Sequence, residues 1–167
     1  MADVENLTDL FIEKLRRLYD GEQRLAKALP KMRDAASSPE LRAAFHAHLE
    51  ETEGHIDRLD RVFEFFATEP GGDTSNIIKG AIKDGDAAIK LDASPAVRDA
   101  ALIAAAQGAE HIEIAEYGTL RTWATTLKQP EAVHVLEWTL EEEKNTDKRL
   151  TEIASALNFE AAATHEG

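Results

Sequence analysis

Apolar residues recur at steps of three, four and seven along four long segments of the chain, and this spacing restricts its fold more than any other feature. Leu7, Phe11, Leu15, Leu18, Leu25 and Leu29 mark the first stripe. Ser38-Pro39-Glu40 predicts an N-cap with proline at the first helical position. A second stripe follows through Leu41, Phe45, His48, His55, Leu59, Val62 and Phe66. Ser94-Pro95 repeats the device ahead of Leu102, Ala106, Ala109, Leu120, Trp123 and Leu127. Gln129-Pro130 then starts the stripe of Val133, Leu136, Leu140, Leu150, Ala154 and Leu157.

The punctuation between stripes is equally readable. Pro30 is expected to kink or interrupt the first helix, because it lacks an amide proton and crowds the preceding turn. Pro70-Gly71-Gly72 should stop the second. Residues 73–93 carry shorter apolar sets around Ile77, Ile78, Ala81, Ile82, Ile89 and Leu91, with Gly80 and Gly85 weakening any single long helix. This segment reads as a helical crossover. Two antiparallel helix pairs joined in this way make an all-α four-helix bundle with a helical crossover between helices two and three. Residues 1–160 form one domain, and residues 161–167 are expected to fray.

Composition removes several function classes. A formal charge of −13 repels the phosphates of nucleic acid and favours metal ions or a cationic partner. The chain has no cysteine, so disulfides, thiolate catalysis and Cys-ligated zinc or iron–sulfur sites are excluded. Ala100 to Ala106 is far too short an apolar stretch to span a bilayer. Met-Ala-Asp-Val-Glu-Asn has neither a basic nor an apolar signal region, so a cytoplasmic location is expected.

The gaps in the stripes are filled by acids. Between Leu18 and Leu25 stands Glu22; between Ala109 and Leu120 stand Glu113 and Glu116; between Leu140 and Leu150 stand Glu143 and Asp147. On the second helix His55 lies on the stripe, with Glu51 one turn before it near the edge. Each long helix thus presents ligand-type side chains near its middle, at a comparable height. Buried carboxylates without partners cost several kcal/mol each and repel one another. Two divalent cations would nearly balance Glu22, Glu51, Glu113, Glu143 and Asp147, and mixed carboxylate and imidazole ligation suits iron, manganese or zinc.

Taken singly, each acid is more simply a solvated surface residue; only the coincidence across four helices favours a shared site. Glu110 and Glu116 fit the solvated reading, as do Glu50, Glu53, Glu141 and Glu142. His48 is a supporting group or an ordinary helix-face residue, and Tyr19 and Tyr117 are ordinary core residues within reach of the acids. Gly21 and Gly54, beside Glu22 and His55, point to close helix approach or to access for solvent.

The motifs Leu-Tyr-Asp-Gly-Glu-Gln (18–23), Ala-Leu-Pro-Lys-Met (28–32), His-Leu-Glu-Glu-Thr-Glu-Gly-His (48–55), Ala-Glu-His-Ile-Glu-Ile-Ala-Glu-Tyr-Gly-Thr-Leu (109–120) and Glu-Glu-Lys-Asn-Thr-Asp (142–147) resemble the YciF-like stress proteins of the ferritin-like superfamily. The resemblance runs from about residue 5 to 158 and implies a ferritin-like bundle, a homodimer and a carboxylate-bridged centre of two metals, usually iron. It implies Glu22 and Glu113 as the inner, bridging carboxylates, Glu51 with His55 on one metal, and Glu143 with Asp147 on the other. Glu110, one turn before Glu113, is the spare ligand. The general ferritin-like pattern places Glu-x-x-His on two helices; here the pairs are Glu51-x-x-x-His55 and Glu143-x-x-x-Asp147, one residue wider and more acidic.

These readings imply a redox-active centre acting on peroxide or dioxygen during stress, in the manner of a peroxidase, a catalase or a ferroxidase. The alternatives are a metal-binding protein without turnover and a metal-free helical interaction module. No pocket for an organic substrate is legible.

Overall fold

The computed structural model describes residues 4–163. They form five helices: α1 (Leu7–Ala35), α2 (Pro39–Phe65), α3 (Asn76–Ile89), α4 (Pro95–Thr126) and α5 (Pro130–Ala163). None of the described residues lies in a strand. The expected crossover is α3, a fifth helix in its own right.

Local chemistry explains most boundaries. Asn6 accepts the Asp9 amide at 3.0 Å, Ser38 the Leu41 amide at 3.3 Å and Ser75 the Ile78 amide at 3.3 Å, each satisfying an amide that the first turn leaves open. Ser94 makes no such bond, although Pro95 starts α4 as expected. Pro30 does not interrupt α1, which runs on to Ala35. One backbone hydrogen bond is lost there, but Leu29, Met32 and Ala36 are buried on either side and hold the last turns in place. Gly80 and Gly85 likewise lie inside a continuous α3. The end of α2 comes before Pro70-Gly71-Gly72: Ala67 adopts φ 48°, and the Thr68 amide closes back onto the Phe63 carbonyl at 3.2 Å. Lys128 at φ 57° ends α4 in the same way, with the Gln129 amide on the Ala124 carbonyl at 3.0 Å. Residues 161–163 continue α5, and the remainder of the tail expected to fray lies outside the described residues.

The apolar stripes build two large buried clusters and a smaller third one of Leu25, Ile78 and Ala109. One joins Phe11, Leu15 and Leu18 to Leu59, Val62 and Phe63, and to Leu120, Leu136 and Leu140. The other joins Leu29 and Met32 to Leu41 and Phe45, and to Leu102, Leu150 and Ile153. The first half of α1 therefore meets the second half of α2, and the second half of α4 meets the first half of α5, so both pairs are antiparallel. Helices α2 and α4 run parallel, which obliges the chain to travel the length of the molecule between them. Helix α3 makes that journey against α1 and α4.

Two buried or half-buried acids fix the connections. Asp99 accepts the Ser37 and Ser38 amides at 2.8 and 2.7 Å, tying the α1–α2 turn to α4. Asp20 accepts the Ser75 amide at 2.9 Å and anchors the start of α3 on α1. Gly21 then lets the two helices close: a Cβ there would stand 3.1 Å from Ile78 Cγ1.

The left-handed conformation costs a non-glycine residue about 1–2 kcal/mol, part of which glycine returns as backbone entropy. Ala67→Gly and Lys128→Gly are each expected to stabilise the protein by about 0.5–1 kcal/mol. Urea unfolding midpoints check this, and a lower midpoint in both variants would contradict the capping account.

Candidate metal centre

Between the two apolar clusters lies a polar layer. On α1, Leu18, Glu22 and Leu25 continue one stripe at steps of four and three, so Glu22 enters the interior where a leucine would otherwise stand. On α2 the inward residues are His48, Thr52, His55 and Leu59. On α4 they include Glu110, Glu113 and Tyr117, and on α5 Leu140, Glu143, Thr146 and Leu150. Glu22, His55, Glu110, Glu113 and Glu143 are each 0% exposed, and His48 is 3% exposed.

These side chains converge in two groups. Glu22, His55 and Glu143 form one, and His48, Glu110, Glu113 and Glu143 form the other. Within each group one donor atom per residue lies within 4.8 Å of all the others, and Glu143 belongs to both. His55 Nδ1 lies 3.0 Å from Glu143 Oε1 and 3.3 Å from Glu22 Oε1, while His48 Nδ1 lies 3.2 Å from Glu110 Oε1. These approaches lack hydrogen-bond alignment. Both oxygens of Glu110, Glu113 and Glu143, one of Glu22, both ring nitrogens of His48 and Nδ1 of His55 have no hydrogen-bond partner.

Supporting residues hold part of the layer. His55 Nε2 faces Glu142 Oε2 at 3.0 Å, and Arg58 Nη2 donates to the same carboxylate at 2.8 Å. With Nε2 engaged in this way, Nδ1 is turned towards Glu22 and Glu143. The Tyr117 hydroxyl donates to Glu22 Oε1, leaving Oε2 as the unpartnered oxygen.

The electrostatics follow from burial and mutual repulsion. Burial pushes Glu113 and Glu110 well above the ordinary 4.5, and the charges of Glu143 and Glu22 push them further. Glu22 is raised mainly by burial, with His55 opposing. Burial alone would raise Glu143 too, but contact with His55 and the charges of His55 and His48 hold it below its usual range. Burial works against a charged His55, yet Glu22, Glu142 and Glu143 together carry it up to about 12. His48, desolvated and near the positive charges of His55 and Arg149, drops to about 4 despite Glu143.

The structure brings together five of the residues expected from sequence: Glu22, His55, Glu110, Glu113 and Glu143. It leaves two aside. Glu51 is half-buried beside the layer and accepts the Thr146 hydroxyl at 2.9 Å. Asp147 turns towards α4, where Gln107 Nε2 donates to it at 3.1 Å and His111 Nε2 approaches to 3.3 Å. In both places a threonine, Thr52 or Thr146, occupies the inward position of that turn. His48 enters the second group in place of these acids; its position on the α2 stripe was the signal for it. Glu116, expected in solvent, is 5% exposed and paired with Lys14 at 2.7 Å. Glu142, also expected on a solvated face, is tied to His55 and Arg58.

The donor set fits metal ions. Four buried carboxylates and two imidazoles aim unpartnered lone pairs at shared points, and four carboxylate charges match two divalent cations.

Residues 6–163 match the family described as a domain of unknown function, DUF892. The chain is 43% identical over 161 residues to protein YciF of Escherichia coli K12, covering 91% of this chain and 92% of that one. The crystal structure of the E. coli stress protein YciF superposes with a TM-score of 0.90 over 92% of this chain and 98% of that one, at 43% identity. YcfI from Rhodopseudomonas palustris gives 0.86 at 41% identity, over 90% and 96% of the two chains. A Xanthomonas campestris protein shares the fold at 19% identity, with a TM-score of 0.74 over 92% and 94%.

The metal-free protein should lose stability as pH rises. Glu110 and Glu113 have folded pKa values raised above 4.5, so their contribution is complete below 4.5 and lost as pH climbs through the raised values. The contribution of His55 is complete below 6.5 and lost between there and about 12. His48 acts oppositely: its contribution is present above 6.5 and lost as pH falls through about 4. Calorimetry of chelator-treated protein is expected to show a melting temperature that falls steadily above neutral pH. A flat or rising profile there would refute the buried-proton account.

Proposed function

Since the chain belongs to the DUF892 family and is YciF-like, we propose that it is a ferritin-like four-helix-bundle stress protein whose polar layer binds two divalent metal ions, iron first and manganese or zinc as alternatives. The observation that carries this reading is the set of buried donor atoms without protein partners that converge in two groups. Such groups cost free energy when left alone, and cations of matching charge remove that cost.

Glu22, His55 and Glu143 would hold one ion, and His48, Glu110, Glu113 and Glu143 the other, with Glu143 as the shared carboxylate. Bound iron or manganese supplies paired one-electron couples suited to the reduction of peroxide or dioxygen. The chain's own residues organise the site. Glu142 fixes the His55 ring through Nε2, and Arg58 fixes Glu142. Tyr117 orients Glu22, and the apolar clusters on either side exclude water. Glu51 and Asp147, assigned as ligands from sequence, instead bridge α2 to α5 and α5 to α4 from the margin of the layer. A homodimer is the state that the family resemblance implies.

A metal-free interaction module is the second reading, favoured by the ion pairs of His55 with Glu22, Glu142 and Glu143, which neutralise part of the layer without any ion.

Metal content per chain separates the readings. Parent protein is expected to retain two ions of iron or manganese after dialysis. Glu143→Ala should lose both, Glu22→Ala one, and Asp147→Ala neither. Glu142→Ala is expected to weaken metal affinity by roughly 10- to 100-fold while keeping the fold. A parent protein that binds less than one ion, and melts no higher with iron, manganese or zinc, would leave the module reading standing. Consumption of dioxygen or peroxide by the iron-loaded protein then distinguishes turnover from sequestration.

A further inference from the structure

A small cavity lined by α1, α3 and α4, and by His48 of α2, reaches the polar layer. Its inner end is formed by His48 and Glu110, two of the proposed ligands, and its walls by Leu29, Met32, Ile82 and Ala106 among others. Among the described residues, the polar lining besides His48 and Glu110 is Asp86, which is half-buried on α3. The space is kept open by small residues. Ala105, Ala106 and Ala109 face it from α4, and Gly85 faces it from α3, where an added Cβ would come within 3.5 Å of Met32 Sδ.

We propose that this cavity is a binding site for dioxygen, which it delivers to the His48–Glu110 edge of the layer. The proposal deepens the metal-centre reading and rests on it for the fate of the bound molecule. Size decides first: the cavity is about 20 Å³, against the roughly 10–15 Å³ that one water requires. That admits a molecule of a few atoms and excludes an acyl chain. Polarity decides second. Hydrogen peroxide would surrender hydrogen bonds to water on passing hydrocarbon walls, and superoxide or a hydrated cation would surrender far more. Dioxygen is neutral and apolar and loses almost nothing. Position decides third, because the hydrocarbon path ends on ring nitrogens and carboxylate oxygens that have no hydrogen-bond partner.

The test uses dioxygen itself on metal-free protein. Under dioxygen pressure its paramagnetism should broaden the methyl resonances of Leu29, 3% exposed, several-fold more than those of Leu140, which is 5% exposed in the other large cluster. Gly85→Ala and Ala105→Leu fill the space from opposite walls, touch no proposed ligand, and should each abolish the excess. In iron-loaded protein the same variants should slow oxidation by dioxygen several-fold, with oxidation by added peroxide and the iron bound per chain unchanged. No excess broadening in the parent would overturn the proposal, as would plugged variants that oxidise at the parent rate. Excess broadening in a parent that binds no iron keeps the dioxygen site and refutes the metal reading, so the two failures are distinct.

Discussion

Four fully buried carboxylates brought within contact of one another are the constraint around which the rest of the molecule is arranged. Glu22, Glu110, Glu113 and Glu143 could not all be ionised in a dry interior at a tolerable cost, since each desolvated charge costs several kcal/mol before repulsion is added. The chain lowers that cost in two ways even without an ion. Burial and the neighbouring charges favour the protonated forms of Glu110 and Glu113, and Glu22, Glu142 and Glu143 favour a charged His55. The apolar clusters on either side supply the burial that holds the helices together around this layer.

Much of this was legible because helices are periodic. The interruption of leucine stripes by Glu22, Glu113 and Glu143 was visible without any structure, and the serine–proline pairs before α2 and α4 placed the helix starts. The choice between neighbours one residue apart was not legible. Between His48 and His55 the helix can turn either residue 51 or residue 52 inward, as steps of three and four are both one turn. After Glu143 the same holds for residues 146 and 147. Reading chemistry into the sequence favoured the acids, Glu51 and Asp147. Packing favoured the threonines, which are compact and can return their hydroxyls to nearby acceptors, as Thr52 does to the His48 carbonyl at 2.8 Å and Thr146 to Glu51.

The opposite error concerned Glu116 and Glu142, which look solvated in sequence because nothing within their own helices pairs them. Their partners come from elsewhere in the chain: Lys14 on α1 for Glu116, and His55 and Arg58 on α2 for Glu142. Helix α3 was under-read for a related reason. Its glycines weaken it as an isolated helix, but Gly85 packs against Met32 and the helix as a whole is clamped at its start by Asp20 and pressed onto Gly21. Tertiary packing outweighs a propensity penalty of about 1 kcal/mol per glycine.

The two imidazoles of the layer are not equivalent, and the difference follows from what stands behind each. His55 is backed by a carboxylate, Glu142, that is itself held by Arg58, whose guanidinium lies 4.3 Å over the half-exposed ring of Trp138. Its ring is fixed, one nitrogen already faces Glu22 and Glu143, and it stays protonated when the layer is empty of cations. His48 has no hydrogen bond at either nitrogen, and its neutral form is the favoured one. A cation approaching a charged His55 must displace a proton, whereas one approaching His48 meets a neutral ring whose nitrogens have no hydrogen-bond partner. One group of the layer therefore meets a cation with a charged, hydrogen-bonded imidazole and the other with a neutral one, and it is the neutral one that the apolar cavity reaches.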